Sequence, residues 1–369
     1  MLIGIDGRPF YGAHAGTGRY VAELCRVLDS ALPEANFLVY GNRTLNLPVS
    51  NGRWRQRGDD SAVGSRMPSA LWYFLRAGRL ARQDGVDVFW GAANFLPLGL
   101  GRKIPAILTV YDFVYRLFPQ TLNLSHRLAY QLFFNKGLHR AQIIIAISQG
   151  TSDRLSDLHG RAADLVIRPR VAAHFCPPGS EIVHAARDHY GIDFPYFLSV
   201  STLEPRKNLE ALIEAFLQLR AAGELPDAGL VLVGQQGWKD RRLLDALARA
   251  KALGVRIVQT GYVQDDWLPA LYAGAIAVVM PSLYEGFGMP VLEAKCCNAR
   301  VVTSDSPEIR EAGGVGPVYI QPTVEGIKQG LRLAAMTPSG DFAPDREVDR
   351  GASWAEEGEK LVNAIRSLV

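Results

Sequence analysis

The stretch Glu285-Gly286-Phe287-Gly288-Met289-Pro290-Val291-Leu292-Glu293 sets two carboxylates eight positions apart across a glycine-rich bend. Carboxylates accept hydrogen bonds from hydroxyl groups, and the free N–H groups of a helix start attract anions. A ligand with hydroxyls to be gripped and phosphates to be neutralised, such as a sugar nucleotide, suits this arrangement. Either glutamate alone also suits a helix N-terminus as a stabiliser of its dipole; the whole nonapeptide is what points to a ligand. A second group, Glu204-Pro205-Arg206-Lys207-Asn208, supplies two adjacent cations. A guanidinium offers a planar fork of donors and an ammonium a compact charge, and together they can neutralise a diphosphate leaving group. The same pair also suits a solvated basic turn.

These side chains need strands and helix starts to position them. Ala275–Met280 is a short apolar run of strand type, and Pro290 suits the first turn of a helix, where its missing N–H costs nothing. Glu293 is then expected in that first turn and Glu285 on the loop before it. The N–H groups of Gly288, Met289, Val291 and Leu292 are expected to lack helical partners. Arg206 and Lys207 fall on the loop after a strand, Tyr196–Ser201. Gly12-Ala13-His14-Ala15-Gly16-Thr17-Gly18-Arg19-Tyr20 follows a first strand, Leu2–Ile5, and opens a helix, Thr17–Ala31. Glycine there lets backbone approach a ligand closely and allows positive φ. Thr109-Val110-Tyr111-Asp112-Phe113 ends another strand. With an ordinary pKa of about 10, Tyr111 is a poor base at neutral pH. Its hydroxyl can position a sugar hydroxyl, or its ring can pack on Phe113 or Tyr115.

Further strand-like runs are Phe37–Tyr40, Val86–Trp90, Ile104–Val110 and Ile143–Ile147, separated by amphipathic segments such as Leu124–Leu138. The alternation restarts at Tyr196 and continues through Leu230–Val233, Val255–Thr260, Ala275–Met280 and Arg300–Thr303. Such repetition predicts an α/β chain of two doubly wound halves with parallel sheets. Pro169, Pro177, Pro178, Gly179 and Pro195 put the boundary near 170–195. The expected domains are 1–175 and 176–350, followed by a closing helix over 351–369. Ser353 is a good N-cap for that helix, with Glu356 at capping-box spacing. Ligands of open α/β sheets lie beyond the carboxyl ends of the strands, so a cleft between two such domains is the expected site.

The 369 residues are 48% hydrophobic and 21% charged, which suits a globular chain with a large core in each half. No run reaches the ~18 apolar residues of a spanning helix, and the first residues read as a buried strand rather than a leader. Cys25, Cys176, Cys296 and Cys297 form no metal or redox motif, so reduced thiols and a cytoplasmic protein are expected. Residues 1–175 hold 21 Lys and Arg against 12 Asp and Glu, a net +9; the remainder holds 19 against 25, a net −6. A basic first half suits anionic lipid or a phosphorylated acceptor, and a peripheral position on the inner face of the cytoplasmic membrane is expected. Residues 66–82 mix aromatics with Arg66, Arg76, Arg79 and Arg82, which reads either as an interfacial helix or as one packed on its own domain. The seven histidines make no metal cluster, and no H-E-x-x-H or Asp-x-Asp occurs. Chemistry without a metal or cofactor is expected, and no nucleic-acid partner.

The nonapeptide, the Glu204–Asn208 loop and the Gly12–Tyr20 loop together resemble the retaining glycosyltransferases of family 4, which have the GT-B fold. That fold is two Rossmann-like doubly wound domains facing a central cleft, and the similarity runs nearly end to end. The resemblance implies that Glu293 holds the ribose hydroxyls of a nucleotide-sugar donor and that Glu285 lies near the donor sugar, with Phe287, Gly288 and Met289 on the intervening loop. It implies that Lys207, with Arg206 beside it, contacts the donor phosphates, that Gly16 closes over them, and that Val263 and Leu268 border the nucleobase. Many relatives carry histidine where Tyr111 stands. The combination looks most like the mannosyl- and rhamnosyltransferase branches of bacterial O-antigen, capsule or exopolysaccharide synthesis. This favours a GDP-sugar donor, with a UDP-sugar as alternative, and a lipid-linked or growing saccharide as acceptor. Two other readings remain open on the sequence: a non-catalytic GT-B scaffold or binding subunit, and a nucleotide-sugar epimerase.

Overall fold

Short runs of aliphatic and aromatic residues build two wholly parallel sheets in the computed structural model, which describes residues 1–12, 16–59, 61–237, 241–336 and 353–369. The first sheet contains β1 (Leu2–Asp6), β2 (Asn36–Tyr40), β3 (Trp54–Arg57), β4 (Val88–Gly91), β5 (Ala106–Val110), β6 (Ile143–Ala146) and β7 (Leu165–Val166), in the order β3-β2-β1-β4-β5-β6-β7. The second contains β8 (Tyr196–Val200), β9 (Gly229–Val233), β10 (Ile257–Gly261), β11 (Ala277–Met280), β12 (Val301–Ser304) and β13 (Val318–Ile320), in the order β10-β9-β8-β11-β12-β13. In each, the winding runs outward one way for three strands and then reverses. The reversal falls between β1 and β4 in one sheet and between β8 and β11 in the other.

Helices cover both faces of the second sheet, and side-chain alternation along the strands shows how. Leu230 and Leu232 of β9 join one buried cluster, with Ala277 and Val279 of β11. Val231, Val233, Val278 and Met280 join the other, with Leu271 and Tyr272 of the helix Leu268–Ala273 and Val291 and Ala294 of the helix Met289–Cys296. Strands sandwiched in this way are apolar on both sides, and β4, β5, β9, β11 and β12 are buried throughout.

The edge strands β3 and β13, and the two-residue β7, are additions to the sequence-based expectation. β3 reads Trp-Arg-Gln-Arg and buries only Trp54, so no hydrophobic run announces it. It is held by pairing with β2 and by the stacking of Trp54 on Phe37, ring centroids 4.0 Å apart.

The chain divides into two units. One comprises Met1–Tyr115, Leu122–Arg170 and Gly351–Val369; the other comprises Arg116–Thr121 and Val171–Arg350. The break follows Arg170, and a six-residue segment of the first half groups with the second unit, which the sequence did not suggest. The helix Trp354–Leu368 begins at the Ser353 capping box, in which Ser353 Oγ accepts from the Glu356 N–H and the Glu356 carboxylate accepts from the Ser353 N–H. It lies against the helix Thr17–Ala31 of its own unit. Gly358 is required there, because a Cβ would stand 2.6 Å from Val27. Glu357 is buried in the same unit and accepts from Arg170 Nη2 at 2.7 Å and the Arg168 N–H at 3.0 Å.

Candidate active site

Lys207 and Glu285 are separated by 78 residues in sequence, and their side chains meet at 2.6 Å. Topology brings them together. Arg206 and Lys207 sit on the turn after β8, and Glu285 sits on the turn after β11. These two strands are neighbours across the winding reversal, the place where ligands of open α/β sheets bind. Pro205–Lys207 forms one 3-10 turn, ended by Asn208 in the left-handed region at φ 59°. The Asn208 side-chain amide donates to the carbonyls of Pro281 and Pro322, and the Leu283 N–H donates to the Arg206 carbonyl. The two loops are thereby fixed to one another.

Four charges interlock on this frame. Arg206 Nη1 donates to Glu285 Oε2 at 2.7 Å and to the Tyr284 carbonyl at 2.7 Å, while Arg206 Nη2 donates to Glu204 Oε1 at 2.6 Å. Lys207 Nζ takes the other Glu285 oxygen, Oε1. Both oxygens of Glu285 are therefore engaged by cations. The carboxylate is suited to hold those cations in place rather than to act as a base. Glu285 is 8% exposed and Glu204 9% exposed. Burial pushes the Lys207 ammonium below its ordinary range, opposed by Glu285. Burial also acts to raise the Glu285 carboxyl, but Arg206 and Lys207 outweigh it and hold the pKa at about 2.

The shift makes a stability prediction. An unfolded glutamate takes up its proton near 4.5, and the folded one only near 2. The stabilisation is therefore complete above pH ~4.5 and is lost as pH falls towards ~2, by about 3 kcal/mol. Unfolding free energies of the wild type should fall through that window more steeply than those of Glu285→Gln. Parallel profiles would show that the pairing contributes no such linkage.

The helix after the second loop is Met289–Cys296, capped by Gly288 at φ 107°, a conformation that favours glycine. Pro290 is in its first turn. Glu293 is the fifth helical residue, just past the first turn in which it was expected, because the helix starts at Met289. The Val291 N–H is taken by the Gly288 carbonyl at 3.0 Å. Of the expected donors, Gly288 and Met289 are those that precede the ladder. Glu293 is 6% exposed and accepts from the Tyr272 hydroxyl at 2.8 Å. Phe287, Gly288 and Tyr284 are buried, and Tyr284 lies near-parallel to Phe118, with ring centroids 6.3 Å apart.

Three expected site residues are placed differently. Tyr111 is 8% exposed, and its hydroxyl donates to the Ala92 carbonyl at 2.8 Å while its ring meets Tyr20 edge-on. Burial pushes its phenol well above the ordinary range. Its ring packs within the first unit and its hydroxyl proton is committed to the Ala92 carbonyl. Tyr111→Phe should cost about 1 to 3 kcal/mol of stability by leaving the Ala92 carbonyl unpaired, with kcat little changed; a large fall in kcat at unchanged melting would restore the catalytic reading. The side chains of Val263 and Leu268 are buried, at 2% and 7% exposure, in the apolar cluster of the second unit. The exposed side chain at that strand end is Tyr262, at 52%.

Gly16 is exposed at the start of the helix Thr17–Ala31 in the first unit, with φ 49° and open space where a Cβ would stand. Residues 13–15, including His14, lie outside the described residues. The sequence reading missed Glu204 and Tyr272, whose roles show only through the partners they meet in space.

Two parallel sheets of this strand order, each covered by helices, define the GT-B class. The structure superimposes on sucrose-phosphate synthase from Thermosynechococcus elongatus with a TM-score of 0.74 over 100% of this chain and 98% of that one, at 19% identity. The chain belongs to glycosyltransferase family 4: the model of that family matches residues 14–171, and the model of glycosyl transferases group 1 matches residues 186–332. It is 30% identical over 299 residues to the O-antigen chain mannosyltransferase B of Escherichia coli, covering 78% of this chain and 76% of that protein. It is also 30% identical over 334 residues to a GDP-mannose-dependent alpha-(1-6)-phosphatidylinositol monomannoside mannosyltransferase of Mycolicibacterium smegmatis, covering 82% of each.

Proposed function

We propose that the chain moves a hexose of mannose or rhamnose type, with retention of configuration, from a GDP-sugar to a lipid-linked or growing saccharide in bacterial surface-polysaccharide synthesis. The observation that carries this is the convergence of Arg206 and Lys207 on Glu285 at the winding reversal of the second sheet. The two cations take the diphosphate of the donor, helped by the N–H groups of Gly288 and Met289 at the helix start. Glu293 takes the ribose hydroxyls. As the bond from the sugar C1 to the leaving phosphate oxygen breaks, the acceptor hydroxyl bonds to C1 from the same face, and the departing phosphate takes its proton. Two fixed cations supply the charge stabilisation that a metal gives elsewhere, so no metal is needed for the step. The relatives named above support the sugar and the base.

A thermal-shift panel of GDP, UDP, ADP and dTDP tests the donor. A ligand that binds only the folded state stabilises it by about 2.7 kcal/mol at a hundred times its Kd, so GDP should raise the melting temperature most. A response to UDP alone would replace the GDP assignment, and GDP-mannose turnover abolished by chelation and restored by a divalent ion would overturn the metal-free step. We further place the protein peripherally on the inner face of the cytoplasmic membrane, on the strength of its basic first half. Among the described residues, no helix is long and apolar enough to cross a membrane.

A further inference from the structure

Two helical stretches of the first unit turn leucines outward, and their residues 69–83 and 124–140 include no Asp or Glu. One runs through Ser69–Trp72, Tyr73–Ala77 and Gly78–Asp84; the other runs through Leu124–Ala129, Tyr130–Phe134 and Asn135–Arg140. In the second, Leu124, Leu128 and Leu132 follow one another at four-residue spacing and are 71%, 47% and 53% exposed. That spacing draws a line about 12 Å long down one side of a helix. In the first, Leu71 and Leu75 are 44% and 48% exposed, and Arg79 continues the same line. The buried Phe74 stacks on Phe133 with ring centroids 4.1 Å apart, which ties the two helices together beside Leu75 and Leu132.

The exposed Arg and Lys side chains on and beside these stretches have no exposed Asp or Glu among them. Residues 61–83 and 113–152 contain no Asp or Glu. Arg76 is turned to Asp59, and Arg140 to the carbonyls of Gly101 and Ile104. Arg66, Arg79, Arg82 and Lys136 are exposed. A protein partner would need an acidic rim and an apolar centre shaped to these particular leucines. A membrane with anionic headgroups needs only the two properties present, shallow apolar side chains and surrounding cations on long stems.

We infer that the helices Ser69–Asp84 and Leu124–Arg140 form one membrane-docking surface, in which Leu124, Leu128, Leu132, Leu71 and Leu75 enter the headgroup boundary while Arg66, Arg79, Arg82 and Lys136 meet anionic lipid. The inference rests on the peripheral placement proposed above and assigns it to specific side chains; the expected interfacial stretch, residues 66–82, is half of the surface and not the whole.

Flotation of the full chain with vesicles containing phosphatidylglycerol, and with pure phosphatidylcholine vesicles, tests it. The wild type should float with the anionic vesicles and be released by salt. The variant Leu124→Gln/Leu128→Gln/Leu132→Gln should bind about tenfold or more weakly, with an unchanged circular-dichroism melt. Should that variant fail to fold, Leu124→Gln alone, at the most exposed position, should still weaken binding several-fold. Arg79→Gln/Arg82→Gln should reduce the salt dependence. Equal flotation of the wild type and the leucine variants would overturn this surface and leave peripheral placement standing. No flotation of the wild type would overturn both. A wild type that is dimeric by light scattering, with monomeric leucine variants that bind vesicles normally, would assign the leucines to a second copy and overturn the membrane assignment.

Discussion

Replacing Lys207 by methionine should lower kcat/KM for the nucleotide-sugar about 10³-fold. Methionine keeps much of the apolar stem, so packing changes little, and what is lost is one of the two cations proposed to face the leaving diphosphate. A fixed charge aimed at charge that develops in the transition state is worth roughly 10² to 10³ in rate. A second loss adds to it: Glu285 Oε1 loses its 2.6 Å partner in a buried setting. Removing one member of a buried pair destabilises by about 3 to 5 kcal/mol at most, and here by less, because Arg206 Nη1 still holds Glu285 Oε2. Activity and stability can be separated with Glu285→Gln in the Lys207→Met background. Removing both charges should recover much of the melting temperature while kcat/KM stays low. Turnover within tenfold of wild type in Lys207→Met, measured on folded protein, would show that the diphosphate is neutralised elsewhere.

If the donor binds as proposed, the four interlocked charges also set how it must do so. Glu204, Arg206, Lys207 and Glu285 sum to zero, so a diphosphate does not meet a bare positive patch. It must compete with Glu285 and Glu204 for the donors of Arg206 and Lys207. The helix start at Gly288 and Met289 adds attraction that the side-chain charges alone do not provide. This restraint favours a ligand that also engages the neighbouring loop over any free anion.

The parts of this site visible in the sequence were those encoded by local pattern. Ala275–Met280 followed by a glycine-rich turn and Pro290 announces a strand, a loop and a helix start, and the structure has all three, with the strand at Ala277–Met280. Arg206 and Lys207 on a strand-to-helix turn were equally legible. That Glu285 would take both cations was not, because it depends on β8 and β11 being neighbours, a property of winding order and not of either segment. Tyr111 is the opposite case. Its position at a strand end was correct, but its hydroxyl is committed to the Ala92 carbonyl after the adjacent β4, and no local pattern records that partner. Val263 and Leu268 were placed on the right stretch of chain, yet burial sends their side chains to the core and leaves Tyr262 outside. The edge strand β3 escaped notice because its Arg-Gln-Arg face is solvated.

Glu293→Gln should raise the donor KM about 10- to 100-fold with kcat within a few-fold of wild type. The carboxylate is buried and fixed by the Tyr272 hydroxyl on Oε2 at 2.8 Å. A carboxylate accepts hydrogen bonds on both oxygens, whereas an amide turns one of those positions into a donor, which opposes a ribose hydroxyl. Charged hydrogen bonds are worth about 1.5 to 3 kcal/mol each, which sets the range. A loss confined to KM marks an interaction made equally in the ground and transition states. Deoxy donors give the decisive comparison. A donor lacking its 2′ or 3′ hydroxyl should be a poorer substrate for the wild type by a similar factor and no poorer for Glu293→Gln, since the group it would have met is already altered. Tyr272→Phe should show a smaller rise in KM with partly retained deoxy discrimination, because the tyrosine acts only by holding the carboxylate. A fall in kcat at constant KM in Glu293→Gln, with deoxy donors penalised as in the wild type, would remove Glu293 from the ribose.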